Sequence, residues 1–159
     1  MDRLRRSVVS VTAQWTYARP IDGADRISTH PEGSELVIEA VKTVRAGDPY
    51  LNGHFPGTTL YPAVFLLDGI RQAVGGELHR APALGTHLGA ADALGDWLEL
   101  GQVVSVRVLR PMLEGDQLCL HIRVSAAGPG ALRAALGCRR DDGTDVAKMT
   151  VELVRGGRS

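Results

Sequence analysis

The chain has 159 residues, 44% of them hydrophobic and 23% charged, and its 18 Lys+Arg balance 18 Asp+Glu to a net charge of zero. A domain of this size buries roughly 70% of its unfolded surface, enough for a core without disulfide staples, and zero net charge argues against a general nucleic-acid or membrane-surface binder. The longest apolar run, Tyr61 to Leu67, is seven residues long and contains Pro62, far short of the ~20 residues that a bilayer span requires.

The charged start, Met1-Asp2-Arg3-Leu4-Arg5-Arg6, leads into Ser7 to Thr12, a stretch too short and too polar for the apolar region of a secretion signal. Strict alternation of apolar and polar residues predicts strands over Val8 to Tyr17 and Glu35 to Val44. Ile21-Asp22-Gly23 and His30-Pro31-Glu32-Gly33 read as turns. From Pro62 to Leu78 the pattern changes: proline suits a first helical turn, and Ala63, Val64, Phe65, Leu66, Leu67, Ile70, Ala73 and Val74 cover nearly the whole circumference of a helix. Such a helix is expected to be buried on all sides, with Gly75-Gly76 near its end. Ala90 to Leu100 admits a second, shorter helical piece. Strands follow over Gln102 to Leu109, Gln117 to Val124, Ala131 to Cys138 and Val146 to Val154, joined by Leu113-Glu114-Gly115-Asp116, Ala127-Gly128-Pro129-Gly130 and Asp141-Asp142-Gly143 as an antiparallel meander. With neither repeats nor linkers, residues 1–159 are expected to form one domain of the α+β class, a long buried helix wrapped by a curled antiparallel sheet, the arrangement called a hotdog.

Few side chains offer chemistry. Cys119 and Cys138 lie in predicted strands without CxxC or Cys/His ligand spacing, and are expected as free thiols in a reducing cytoplasm. His30, His79, His87 and His121 show no metal-ligand spacing, and Asp141 to Asp145 is a hairpin turn without the rest of a calcium loop. Asp68 stands apart as a carboxylate in the apolar helix, where burial without a partner would cost several kcal/mol. Upstream, Asn52-Gly53-His54-Phe55-Pro56-Gly57 presents one imidazole on a sharply turned loop. His54 and Asp68 are therefore a candidate acid/base pair, and Gln72, one helical turn beyond Asp68, is placed to orient its carboxyl.

Quoted in order, Gly53-His54-Phe55-Pro56-Gly57-Thr58-Thr59-Leu60-Tyr61-Pro62-Ala63 through Asp68 to Gln72-Ala73 resembles the signature GHFPGxPxxPGVxxxEAxAQA of the β-hydroxyacyl-acyl-carrier-protein dehydratases. Val106-Arg107-Val108-Leu109-Arg110-Pro111-Met112-Leu113-Glu114-Gly115-Asp116 is similar to that family's later ARFxRPVxPGD segment, and Ala40-Val41-Lys42-Thr43-Val44 to its AVKNV strand. Three departures stand out. The family's usual glutamate is Asp68, the glycine after its second proline is Ala63, and the N-terminal segment survives only in worn form between Tyr17 and Ile27.

The resemblance implies dehydration of a 3-hydroxyacyl thioester on acyl carrier protein to the trans-2-enoyl thioester, in fatty-acid-like or polyketide biosynthesis, with no metal or redox cofactor. In that reaction His54 takes the C2 proton, Asp68 protonates or positions the departing water, and backbone N–H groups near Gly57 and at Ala63 face the developing oxyanion. It further implies a homodimer, or an oligomer of dimers, with shared sites. Arg71, Arg80, Arg107 and Arg110 are the candidate contacts to an acidic carrier protein. The alternatives are a non-catalytic hotdog subunit of a dehydratase heterodimer and a hotdog acyl thioesterase.

Overall fold

The structure is a computed structural model that describes residues 22–47, 51, 57–90 and 98–156. Its elements are β1 (Arg26–Glu32), β2 (Glu35–Thr43), α1 (Ala63–Arg80), α2 (Ala83–His87), β3 (Leu98–Val108), β4 (Gln117–Gly128), β5 (Ala131–Arg140) and β6 (Asp145–Arg155). The six strands form one antiparallel sheet in the order β1-β2-β4-β5-β6-β3.

Alternation places every second residue of the central strands inward. Ile38 lies across from Ile122, Ile122 from Leu136 and Leu136 from Met149, so one apolar row crosses four strands. All four side chains are buried. Against this floor α1 lays Leu66, Ile70, Ala73, Val74 and Leu78, a stripe at helical spacing whose members are no more than 4% exposed. Each fully buried aliphatic side chain of this kind stabilises the fold by about 1.5–3 kcal/mol. Pro62 serves as the N-cap with φ −65°, where its missing N–H costs nothing because the first turn has no internal acceptor. Burial pushes the Cys138 thiol up to about 12, which leaves it a packing group, and both cysteines are free. Thr144 N–H donates to Asp142 Oδ1 at 2.8 Å, so the Asp141–Asp145 cluster is the hairpin turn its sequence predicts.

Four expectations are corrected. The end of β1, His30 to Glu32, occupies residues read as a turn: Pro31 is tolerated because β1 is an edge strand, and the strand's near-complete exposure on both faces removes the alternation that would have marked it. β3 starts at Leu98, so the end of the stretch considered for a second helix is strand, residues 91–97 of that stretch lie outside the described residues, and a short helix lies earlier at Ala83–His87. The meander holds for β4, β5 and β6, but β3 pairs with β6 at the far edge and not with β4. Finally, α1 is not buried all round. Val64 is 60% exposed and the Asp68 side chain 43%, because the sheet covers only one side of the helix. The predicted strand Val8 to Tyr17 lies outside the described residues.

Candidate active site

The three segments that carry the family resemblance meet at the start of α1. Tyr61 N–H donates to Met112 O at 2.8 Å and Glu114 N–H to Thr59 O at 3.2 Å, which zips residues 59–61 antiparallel to 112–114. Leu60 and Leu113 form the bridge between them. The tight turn at Gly115 (φ 87°) then returns the chain to β2: Gly115 N–H donates to Val44 O and Val44 N–H to Asp116 O, both at 2.9 Å. Asp116 locks this corner. Its Oδ2 accepts from Leu113 N–H at 2.8 Å and from Arg140 Nε at 3.0 Å.

Between the joined segments opens an apolar cavity of about 640 Å³, lined by Leu60 to Val64 on one side and Val108 to Met112 on the other. The first turn of α1 forms part of its wall. Phe65 N–H donates to Pro62 O, no side chain caps the helix, and among the described residues nothing accepts from the N–H groups of Ala63 and Val64. Two backbone donors with the positive end of the helix dipole behind them thus border an apolar cavity, an arrangement suited to developing negative charge. Gly57 sits just upstream in the left-handed region at φ 77°, a conformation that favours glycine.

Asp68 lies one turn beyond Val64 on the open face of α1, about 5–6 Å away between Cβ atoms for an i,i+4 pair. Both of its oxygens are engaged: Arg71 Nε donates to Oδ1 at 2.8 Å and Gln72 Nε2 to Oδ2 at 2.6 Å. The expected partnership with Gln72 is present. That with Arg71 was not foreseen, since Arg71 had been grouped with carrier-protein contacts, although its i,i+3 spacing from a helix carboxylate is the signal for it. Nothing in the pattern of residues points to Gly23, whose N–H donates to Gln72 Oε1 at 2.9 Å. His54 lies outside the described residues.

The other arginines divide clearly. Arg80 pairs with Glu77 of its own helix, whereas Arg107 and Arg110 have no ion partner among the described residues. Arg110 lines the apolar cavity. His121 Nδ1 meets Glu39 Oε1 at 2.7 Å on the outer face of the sheet, and His87 Nε2 lies 3.3 Å from Glu35 O; neither belongs to this site.

A helix on a curled antiparallel sheet, with a carboxyl on the helix and an apolar cavity at its start, defines an α+β hotdog protein. The model of the FabA-like domain matches residues 18–149, and the chain belongs to that family. It is 30% identical over 109 residues to the 3-hydroxyacyl-acyl-carrier-protein dehydratase FabZ of Proteus mirabilis, which covers 69% of this chain and 67% of that protein. Among solved structures, the dehydratase heterocomplex ApeI:P of Xenorhabdus doucetiae has a TM-score of 0.52 at 20% identity over 86% of this chain and 99% of that one. A thioesterase of Thermus thermophilus, complexed with coenzyme A and Zn, has a TM-score of 0.51 at 20% identity over 80% of this chain and 83% of that one. Both structural likenesses speak for the fold alone.

Proposed function

We propose that the chain dehydrates a 3-hydroxyacyl thioester carried on acyl carrier protein, giving the trans-2-enoyl thioester and water. The observation that carries this reading is the Asp68 carboxyl, held by two donors on the open face of α1 one turn from a cavity edged by free backbone N–H groups. His54 takes the proton from C2, and the electron pair moves into the C2–C3 double bond as the C3–O bond breaks. Asp68, which enters this step protonated, gives its proton to the departing hydroxyl, which leaves as water, and the proton held by His54 afterwards restores the acid. The N–H of Ala63, with that of Gly57 upstream, meets the charge on the thioester oxygen; one such donor is worth about 3 kcal/mol in an oxyanion hole. The elimination is redox-neutral, so the chemistry requires no redox cofactor.

The reading includes a second copy of the chain. β3 is an 11-residue edge strand exposed along almost its full length, and Val103, Val104, Val106 and Val108 are each at least 43% exposed. A long apolar edge is a liability that twofold pairing removes. The free thiols fit a reducing cytoplasm, and no helix among the described residues is long and apolar enough to cross a membrane. Residues 1–159 then act as one hotdog unit within the assembly.

Incubation with a 3-hydroxyacyl carrier-protein thioester, followed by mass spectrometry, tests the reaction. Loss of 18 Da, the mass of one water, supports it. Release of free acid favours the thioesterase reading, and an unchanged acyl chain the non-catalytic subunit.

Among the four arginines considered for the carrier protein, Arg110, at the cavity rim and without an ion pair among the described residues, is the better candidate than Arg71 and Arg80, which are committed to carboxylates of α1. Arg110→Glu should raise KM for the carrier-bound substrate about tenfold or more, given that charge-assisted contacts are worth roughly 1.5–3 kcal/mol. A pantetheine surrogate lacking the carrier protein should be nearly unaffected. Equal effects on both substrates would assign Arg110 to the fold.

A further inference from the structure

A glutamine amide can be turned either way, but only one orientation satisfies the two partners described for Gln72, Gly23 and Asp68. The Gly23 backbone N–H can only donate, so it requires the oxygen end of the amide, and it meets Oε1 at 2.9 Å. The NH₂ end is thereby turned to Asp68 Oδ2, 2.6 Å away. Arg71 Nε, also a donor only, holds the other oxygen at 2.8 Å. With the amide reversed, Gly23 N–H would face an NH₂ group and a carboxylate oxygen would face the amide oxygen. Gly23 therefore sets the direction of the whole relay. Since Asp68 accepts on both oxygens from α1, a proton that it gives or takes must use the lone pairs left on its exposed side.

The backbone path at Gly23 is equally specific. A Cβ there would stand 2.6 Å from Gly69 Cα and 3.3 Å from Gln72 Oε1, so a side chain would push the segment off the helix and away from the amide it holds. Gly69 supplies the other half of this close approach: it lies one residue after Asp68, and a Cβ on it would have the Gly23 backbone as its nearest neighbours. Two residues on, the segment is tied to β2. Asp25 N–H donates to Val41 O at 2.7 Å, and the Asp25 carboxylate accepts from Thr43 N–H at 2.8 Å and Arg45 at 2.9 Å. Burial pushes that carboxyl up, but Arg45 and the Thr43 N–H outweigh it and hold the group below its ordinary value. The segment 22–25 is thus a strap, fastened to the sheet at one end and laid on the helix beside the acid at the other.

We propose that Gly23 is a positioning residue for the reaction: acting through Gln72, the strap fixes the rotamer and hydrogen-bond direction of Asp68. The proposal rests on the dehydratase reading. It also explains how an aspartate, one methylene shorter than the glutamate usual in the resembling family, is held at a defined place on the helix face.

The test uses the full chain and two readouts. In the kinetic one, Gly23→Ala and Gln72→Leu should each lower kcat on the order of tenfold to a hundredfold, the scale of a misplaced reacting group, with KM changed by less than about threefold. Combining them should cost no more than Gln72→Leu alone, because both break the same relay. Losses that multiply in the double variant, or a Gly23→Ala protein as active as wild type, would overturn the proposal. In the second readout, hydrogen exchange of the Gly23 amide is followed by NMR in wild type and in Gln72→Leu, which needs neither turnover nor the glycine variant to fold. Protection should fall when its acceptor is removed, and unchanged protection overturns the relay. A wild-type chain inert on the thioester would instead overturn the dehydratase reading, whatever the exchange result.

Discussion

His54→Ala and Asp68→Asn should each reduce turnover by 10²–10⁴-fold, the range of a positioned proton-transfer group, while the protein stays folded. For Asp68 the structure gives the argument atomic detail. Arg71 Nε and Gln72 Nε2 both donate to its two oxygens, and Gln72 cannot turn its amide to compensate because Gly23 N–H holds Oε1. Asparagine offers one oxygen and one NH₂, so one of the two donors must face another donor. The substitution thus removes the carboxyl and disorders its setting at once. Its stability cost is small because the side chain is 43% exposed in the protomer, and a surface ion pair is worth about 0–1 kcal/mol. Melting temperature and kcat, measured on the same samples, separate the two effects. Asp68→Glu restores the commoner acid of the resembling family but pushes the carboxyl one methylene further from both donors, and intermediate activity is expected. Turnover within tenfold of wild type in the folded His54→Ala or Asp68→Asn protein would remove that residue from the mechanism.

Periodicity made the strands from β2 to β6 legible and left the edge strand β1 dark. The interior strands β2, β4, β5 and β6 alternate because one face of each lies on the core, and that burial wrote the pattern from which they were predicted. β1 borders solvent on both faces, so selection for alternation is absent there and Pro31 made its end look like a turn. β3 departs from alternation for a different reason: its register shifts between Leu100 and Gln102 and between Val103 and Ser105 interrupt the period of two, and Val103, Val104, Val106 and Val108 are all exposed. In helix α1 the apolar residues run round the circumference while the protomer buries only one stripe. Apolar residues all round a helix read as burial all round, yet Val64 is left 60% exposed.

At the site, the divide falls between side chains and backbone. The contact between Asp68 and Gln72 was legible because residues four apart on a helix face each other. The family was legible because glycine and proline at fixed offsets constrain a loop more tightly than any composition does. Gly23 was not legible. Its contribution is one backbone N–H and the absence of a Cβ, and neither leaves a mark on the sequence beyond a glycine in a stretch already read as a turn.

Mixing inactive His54→Ala with inactive Asp68→Asn protein, under conditions that exchange subunits, should restore about a quarter of wild-type activity. Random reassortment makes about half of the dimers mixed, and a twofold dimer with sites shared across its interface then has one intact site of two. Three observations support sharing. The Asp68 face of α1 is the side that its own sheet leaves uncovered. The exposed edge of β3 bears Val103, Val104, Val106 and Val108, so pairing it about a twofold axis would extend the sheet across two copies. The apolar cavity at the start of α1 is lined by Val108, the last residue of that same strand, together with Val64, so a second copy joined along β3 would close over the cavity as well as the edge. Charge placed at the seam should act in the same direction: Val106→Asp should yield monomers by sedimentation and lose activity with them, although Val106 is remote in sequence from His54 and Asp68. If subunit exchange is demonstrated by mass and no activity returns, each site is either complete within one chain or completed by a different hotdog subunit. Activity in the Val106→Asp monomer would decide for the first, and a monomer without it for the second.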